Sequence, residues 1–138
     1  MLDLTTEFGA HVAQRLRDEE IIWLTTVGAD GTPQPSPVWF LWDGQSFLIY
    51  SRENAPKLKN IARNPRVALS LNSDPLGTDV AIITGDAQVD ESAPPCTAIP
   101  DYVAKYSAGI QRIGLTPEHF ALAYSVAVRV TPTKLRGF

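Results

Sequence analysis

A chain of 138 residues, 44% hydrophobic and 20% charged, reads as one soluble globular domain over residues 1–138. Its apolar runs fall well short of the ~20 residues a membrane span needs. Twelve basic residues against fifteen acidic ones leave a net charge of −3, which argues against a long polyanion such as a nucleic acid as partner.

The first twenty residues, MLDLTTEFGAHVAQRLRDEE, have no basic stretch followed by an apolar one, so they do not read as a secretory signal. Cys96 is the only cysteine, which excludes an intramolecular disulfide and fits a cytoplasmic address. Residues 5–19 are expected to form a helix. Thr5 or Thr6 can cap it, and Phe8, Val12 and Leu16 recur at i, i+4 and i+8. Ile21–Val27 is β-branched and aromatic, a strand. Gly28-Ala29-Asp30-Gly31 turns the chain into the next strand, which begins TPQPSPVWF. There Pro33, Pro35 and Pro37 alternate. Alternate residues of a strand point their N–H groups to one side, so three donors are missing along that side. This strand should be an edge, covered by a loop, a partner or a ligand, or left bare as a guard against aggregation.

The apolar runs Val38–Trp42 and Phe47–Tyr50 are joined through Asp43-Gly44, a hairpin signal that predicts a type I′ turn. The second run delivers Ser51 and Arg52. Pro56 then suits the first turn of a short helix, with Asn54 or Ser51 as cap. Leu58, Ile61 and Ala62 give this helix an apolar face, and Asn64-Pro65 ends it. Arg52, Lys57, Lys59, Arg63 and Arg66 stand here against the single acid Glu53, so this stretch carries +4 and the rest of the chain −7. A basic helix start in an acidic protein can seat a small anion such as a phosphate, or it can be a solvated face.

Val67–Leu71 is another strand, Asn72–Thr78 a loop, and Val80–Val89 a longer strand in which Gly85 marks a bulge or a close backbone approach. Ser92–Ile99 is irregular. Pro100–Tyr106 is expected to be helical with Tyr102, Val103 and Tyr106 on one face, followed by a loop over Ser107–Leu115. Thr116-Pro117-Glu118-His119 opens a short helix to Tyr124. Ser125–Val130 alternates and is the last strand, followed by the tail TPTKLRGF. About six strands, mostly joined by hairpins, with a few short helices, make the chain mainly β and predict a closed or partly closed antiparallel barrel. A doubly wound parallel sheet is disfavoured, because there is no regular strand–helix alternation and no GxGxxG turn.

His11 and His119 lie far apart, and no HExxH, paired cysteines or clustered carboxylates suggest a metal site. No nucleophile elbow surrounds Ser36, Ser51 or Ser70, and nothing near Cys96 in sequence would activate its thiol. Trp23, Trp39 and Trp42 read most simply as core residues, although Trp39, on a strand with a free edge, could also wall a flat aromatic ligand.

The segments TTVGADGTPQPSPVWFLWDG, FLIYSRENAPKLKNIARNPRVAL and VAVRVTPTKLRGF together resemble the pyridoxamine-phosphate-oxidase-like superfamily of split-barrel flavin and deazaflavin proteins. The resemblance implies a six-stranded split barrel and a homodimer with its cofactor at the interface. It also implies a cofactor ring against Ser36, Pro37, Val38 and Trp39, and a phosphate met by Tyr50, Ser51, Arg52 and Lys57 beside Pro56. The chain looks most similar to the actinobacterial subgroup that uses coenzyme F420, whose oligoglutamate tail would meet Lys59, Arg63 and Arg66. It departs from true pyridoxamine-phosphate oxidases at its end, KLRGF, which lacks histidine, so vitamin-B6 oxidation is not expected. The implied activity is hydride transfer from reduced F420 to an electron-poor small molecule, with no catalytic side chain singled out. The alternatives are an FMN-dependent oxidoreductase of the same fold and a protein that binds its cofactor or a haem-like tetrapyrrole without turnover.

Overall fold

A computed structural model describes residues 2–138. The chain runs α1 (Glu7–Asp18), β1 (Ile22–Val27), β2 (Pro33–Val38), β3 (Leu41–Trp42), β4 (Phe47–Ser51), α2 (Pro56–Arg63), β5 (Arg66–Leu71), β6 (Ala81–Val89), a single 3₁₀ turn at Cys96–Ala98, α3 (Pro100–Arg112), α4 (Pro117–Ala123) and β7 (Val126–Gly137). The strands form one antiparallel sheet of seven in the order β2-β1-β5-β6-β7-β4-β3, curled into a half-barrel. Seven replaces the six expected because the run from Pro33 to Trp42 is broken at Trp39-Phe40 into β2 and β3, the two edges of the sheet. The edges are therefore adjacent in sequence, yet no ladder joins them among the described residues.

The break is held by α3. The Phe40 N–H donates to the Tyr106 hydroxyl at 2.8 Å, and that hydroxyl donates to the Glu20 carbonyl at 2.7 Å. The Lys105 ammonium donates to the Phe40 carbonyl at 3.0 Å and lies 3.8 Å from the Phe40 ring centroid. The backbone N–H and carbonyl of Phe40 are thus paired outside any strand, as buried groups must be.

Most of the local chemistry acts as its residue types dictate. The Thr6 hydroxyl accepts from the Gly9 N–H at the start of α1, and the Thr116 hydroxyl accepts from the His119 N–H at the start of α4. β2 is an edge strand paired only with β1, in a register that sets Pro33, Pro35 and Pro37 opposite Val27, Thr25 and Trp23. Gly85 sits at a register shift between β6 and β7. The β3–β4 hairpin forms, but its turn differs from type I′. Gly44 has φ +94° while Asp43 is not in the left-handed region, and the Asp43 carboxylate accepts from the Gln45 and Ser46 N–H groups to close a four-residue loop. Helix α2 starts at Pro56, but its cap position is Ala55, without a side-chain bond. Asn54 instead takes φ +62° to turn the chain into the helix. Helix α3 runs on to Arg112 through the expected loop, and β7 runs on to Gly137 through the expected tail. Trp23 is 38% exposed and bonds Asn72, so it is not a core residue.

Two apolar clusters explain why β4 reads as an unbroken apolar run. Phe47 and Ile49 point into the curled sheet with Val12, Leu16, Ile22, Leu24, Phe40, Leu69, Ile83, Val128 and Val130. Leu48 and Tyr50 point the other way, into a half-aromatic cluster with Cys96, Tyr102, Tyr106, Ile110, Phe120 and Ala127, which α3 and α4 cover.

Burial pulls Lys105 down to about 8 from 10.5, against the opposing pull of Glu20, Asp18 and Glu19. The unfolded chain therefore keeps this proton to higher pH than the folded one. Stability contributed by Lys105 should rise as pH climbs from about 8 toward 10.5. Denaturant titrations at roughly pH 7.5 and 9.5, below the ordinary tyrosine range, should show a rise that the Lys105→Met variant lacks. Equal pH slopes in both proteins would contradict it.

Candidate functional site

At the open end of β2 and β4 the chain forms a cavity of about 420 Å³ between the sheet, the start of α2 and the helices α3 and α4. Its wall consists of Ile21, Pro37, Val38, Trp39, Tyr50, Ser51, Arg52, Ala55, Lys57, Tyr102, Ile113, Phe120 and Tyr124. One side is aromatic and the other cationic.

The cationic side follows from the way β4 ends. Ser51 is buried at the last strand position, and its hydroxyl donates to the Arg52 carbonyl at 3.0 Å. Arg52 then leaves the sheet and lays its guanidinium 4.7 Å from the centroid of the Tyr124 ring. Asn54 turns the chain, and α2 begins with Pro56 and Lys57, with no acidic residue in its first turn. Neither Arg52 nor Lys57 pairs with a carboxylate among the described residues. Lys57 is half-buried, and that burial holds its ammonium below the ordinary lysine range. Two cations without a carboxylate partner, beside a helix start without a side-chain cap, are chemically suited to an anion.

The aromatic side is a stack. Tyr106 lies on Trp39 with centroids 4.6 Å apart and planes 5° apart. Phe120 stacks on Trp39 at 5.2 Å, and Tyr124 on Phe120 at 4.5 Å. The Tyr50 ring meets Tyr102 edge-on at 5.2 Å, and its hydroxyl donates to the Pro94 carbonyl at 2.6 Å. Burial pushes the Tyr50 phenol up to about 12 and those of Tyr102 and Tyr106 higher still, so all three remain protonated at neutral pH. Gly109 on α3 leaves room for the indole. A Cβ there would lie 3.2 Å from the Trp39 ring.

Of the expected site residues, Pro37, Val38, Trp39, Tyr50, Ser51, Arg52 and Lys57 come together in this wall. Ser36, Pro56 and Lys59 lie outside it. So do Arg63, which donates to the Asn60 side chain at 2.9 Å, and Arg66, which pairs with Asp86 at 3.6 Å. Sequence reasoning passed over Ile21, Ala55, Tyr102, Ile113, Phe120 and Tyr124. The available signal was aromatic spacing: Tyr102 and Tyr106 stand at i, i+4 on α3, and Phe120 on α4 and Tyr124 just past its end repeat that spacing. Each pair makes one face aromatic.

A second hollow of about 530 Å³ lies between α2 and β6, lined by Leu58, Ile61, Ala62, Pro65, Asp86, Ala87, Gln88, Val89 and Thr131. Its only charged wall residue is an acid, Asp86, so this hollow offers an anion no cationic side chain. No group of three or more His, Cys, Asp or Glu side chains placed to hold a metal ion occurs among the described residues. None of their helices is long and apolar enough to cross a membrane.

A family model described as pyridoxamine 5'-phosphate oxidase matches residues 8–138. No curated protein matches the chain. Among solved structures, an F420 reductase is 27% identical, with a TM-score of 0.64, over 89% of this chain and 94% of the other. General stress protein 26 of Bacillus anthracis is 19% identical, with a TM-score of 0.70, over 91% and 89%. The heme storage protein HutZ of Vibrio cholerae is 15% identical, with a TM-score of 0.66, over 96% and 95%. The last two show likeness of fold alone.

Proposed function

The chain belongs to the pyridoxamine 5'-phosphate oxidase family, and on that premise we propose that it is an oxidoreductase whose cofactor, coenzyme F420, binds in the cavity between β2, β4 and α2. The observation that carries the reading is the pair of cations Arg52 and Lys57, without a carboxylate partner among the described residues, beside the start of α2, which has no side-chain cap, and next to an aromatic wall whose Tyr124 ring Arg52 covers. This donor set suits a flat ring system bearing a phosphate. Arg52, Lys57 and the first turn of α2 would hold the phosphate, beside Ser51 and Pro56. Ser36, Pro37, Val38 and Trp39 would border the ring, and Tyr50 would close the wall between ring and phosphate. When bound, the cofactor supplies a hydride for an electron-poor small molecule. The chain's own residues fix the ring in place and keep water from its face. The 27% identity to an F420 reductase supports the deazaflavin over other cofactors. The homodimer with its cofactor at the interface, the single-domain organisation and the cytoplasmic address belong to the same reading.

FMN is the second reading, and one observation favours it. The basic side chains Lys59, Arg63 and Arg66, which an oligoglutamate tail would need, lie outside the cavity wall, and Arg66 is already paired with Asp86. Paired equilibrium titrations with F420 and FMN decide between them, read by quenching of tryptophan fluorescence, since Trp39 stands in the wall. Micromolar F420 binding with much weaker FMN binding is the expected result. The reverse order assigns the site to FMN, and no binding of either removes the cofactor reading.

A further inference from the structure

Asn60 is a polar side chain buried at 4% exposure on α2, three residues beyond Lys57 and on the same side of the helix. Its amide nitrogen donates to the Thr26 hydroxyl on β1 at 2.9 Å and to the Gln34 side-chain oxygen on β2 at 2.8 Å. Its amide oxygen accepts from the Arg63 guanidinium at 2.9 Å. A guanidinium can only donate, so Arg63 fixes which way round the amide sits, with its N–H groups turned to the sheet. Aspartate would bring no donor to this place and leucine no polar atom. Either would take from Thr26, itself 1% exposed, the donor that its oxygen accepts.

The two bonds to the sheet reach both sides of the cavity. Helix α2 brings Lys57 to the wall, and β2 brings Pro37 and Val38, three and four residues beyond Gln34, with Trp39 next. β2 has no ladder except the one with β1. Leu58 and Ile61 pack α2 against the core by apolar contact, which tolerates sliding. A buried amide with directed bonds to β1 and β2 does not. We propose that Asn60 is the positioning residue that sets the distance between the cationic and aromatic sides of the cavity, so that the site selects ligands whose anionic group and flat ring are joined at one fixed span. This rests on the reading of the cavity as a cofactor site and adds what makes that site selective.

The test compares a ligand that bridges the two sides with ligands that touch one. Whichever of FMN and F420 binds the wild type is titrated into wild type, Gln34→Ala and Asn60→Ala, alongside its phosphate-free form (riboflavin or the deazaflavin alcohol) and inorganic phosphate. Gln34 is exposed, so its truncation cuts the tie to β2 without emptying the core. Gln34→Ala should weaken the phosphate-bearing cofactor roughly tenfold, while the affinities for the phosphate-free form and for phosphate change by less than about twofold. Asn60→Ala should widen the same gap. Gln34→Glu, whose carboxylate can accept the same N–H, should restore the ratio of cofactor to phosphate affinity, because its added charge acts on both ligands alike. An equal fall for all three ligands, or an unchanged cofactor affinity in Gln34→Ala, would overturn the proposal and leave the cofactor reading standing. Failure of the wild type to bind either cofactor would remove that reading, and the proposal with it.

Discussion

Gly85→Ala should lower the stability of the unliganded protein by about 3 kcal/mol, a drop in melting temperature of roughly 10 °C. The cause is contact with backbone. A Cβ at position 85 would stand 2.4 Å from the Thr131 carbonyl oxygen and 3.0 Å from the Pro132 Cα. No flexible side chain can yield there, so the β6–β7 ladder itself must move. That ladder is the longest pairing in the sheet, from Ala81 opposite Gly137 to Val89 opposite Val128, and its register shifts at this point. Gly85 faces Pro132, which is buried and cannot donate to the ladder. The glycine lets the strand pass its proline. Thermal denaturation of the single variant is sufficient as a test, and a midpoint within about 2 °C of the parent would mean that the two strands separate cheaply.

Lys57→Ala should weaken binding of the phosphate-bearing cofactor by about 1.5–3 kcal/mol, roughly 10- to 150-fold, the worth of a hydrogen bond to a charged group. The same change should leave the unliganded protein as stable as before, or more so, because burial disfavours the Lys57 ammonium in the empty site. Loss of binding together with retained stability would mark Lys57 as a ligand contact rather than a structural one. The pH dependence follows in sign. An anion favours the protonated lysine, so affinity is full below the lysine's free-state pKa and declines as pH rises through it. Because burial lowers that pKa, the decline should begin at lower pH than an ordinary lysine would give. Titrations across roughly pH 7 to 10 should show it for the wild type and not for Lys57→Ala. Unchanged affinity in the variant would remove Lys57 from the site.

What could be read from the sequence divides by the range of the forces involved. Thr6, Thr116, Pro56, Gly85 and the alternating Pro33, Pro35 and Pro37 act on their nearest neighbours in the chain, and each appears where its chemistry puts it. The break at Trp39-Phe40 was hidden because its cause lies 66 residues away, in the hydroxyl of Tyr106. Ser107-Ala108-Gly109 reads as a loop by propensity, yet it continues α3 because Gly109 packs beneath Trp39. Pro132 reads as a stop, and β7 passes it only because Gly85 faces it on the next strand. The cationic half of the candidate site was legible because Arg52 and Lys57 cluster in sequence. The aromatic half was only half legible. Its helices and the Tyr102–Tyr106 face could be read, but nothing local says that this face turns toward β4.

The sheet's two edges meet without a ladder at the place where the cavity opens, and this has a mechanical consequence. Elsewhere, strand pairing sets how far neighbouring strands can separate. At this seam the two edges share only the short backbone link through Trp39-Phe40, and beyond it side chains resist opening, mainly Tyr106 and Lys105 on the kink and the ring stack around Trp39. A molecule that touches both β2 and the end of β4 would replace the missing rungs, and its binding free energy would add to the stiffness of the joint. The rigidity of this half-barrel is then not a constant of the fold but a quantity set by the concentration of whatever occupies the seam.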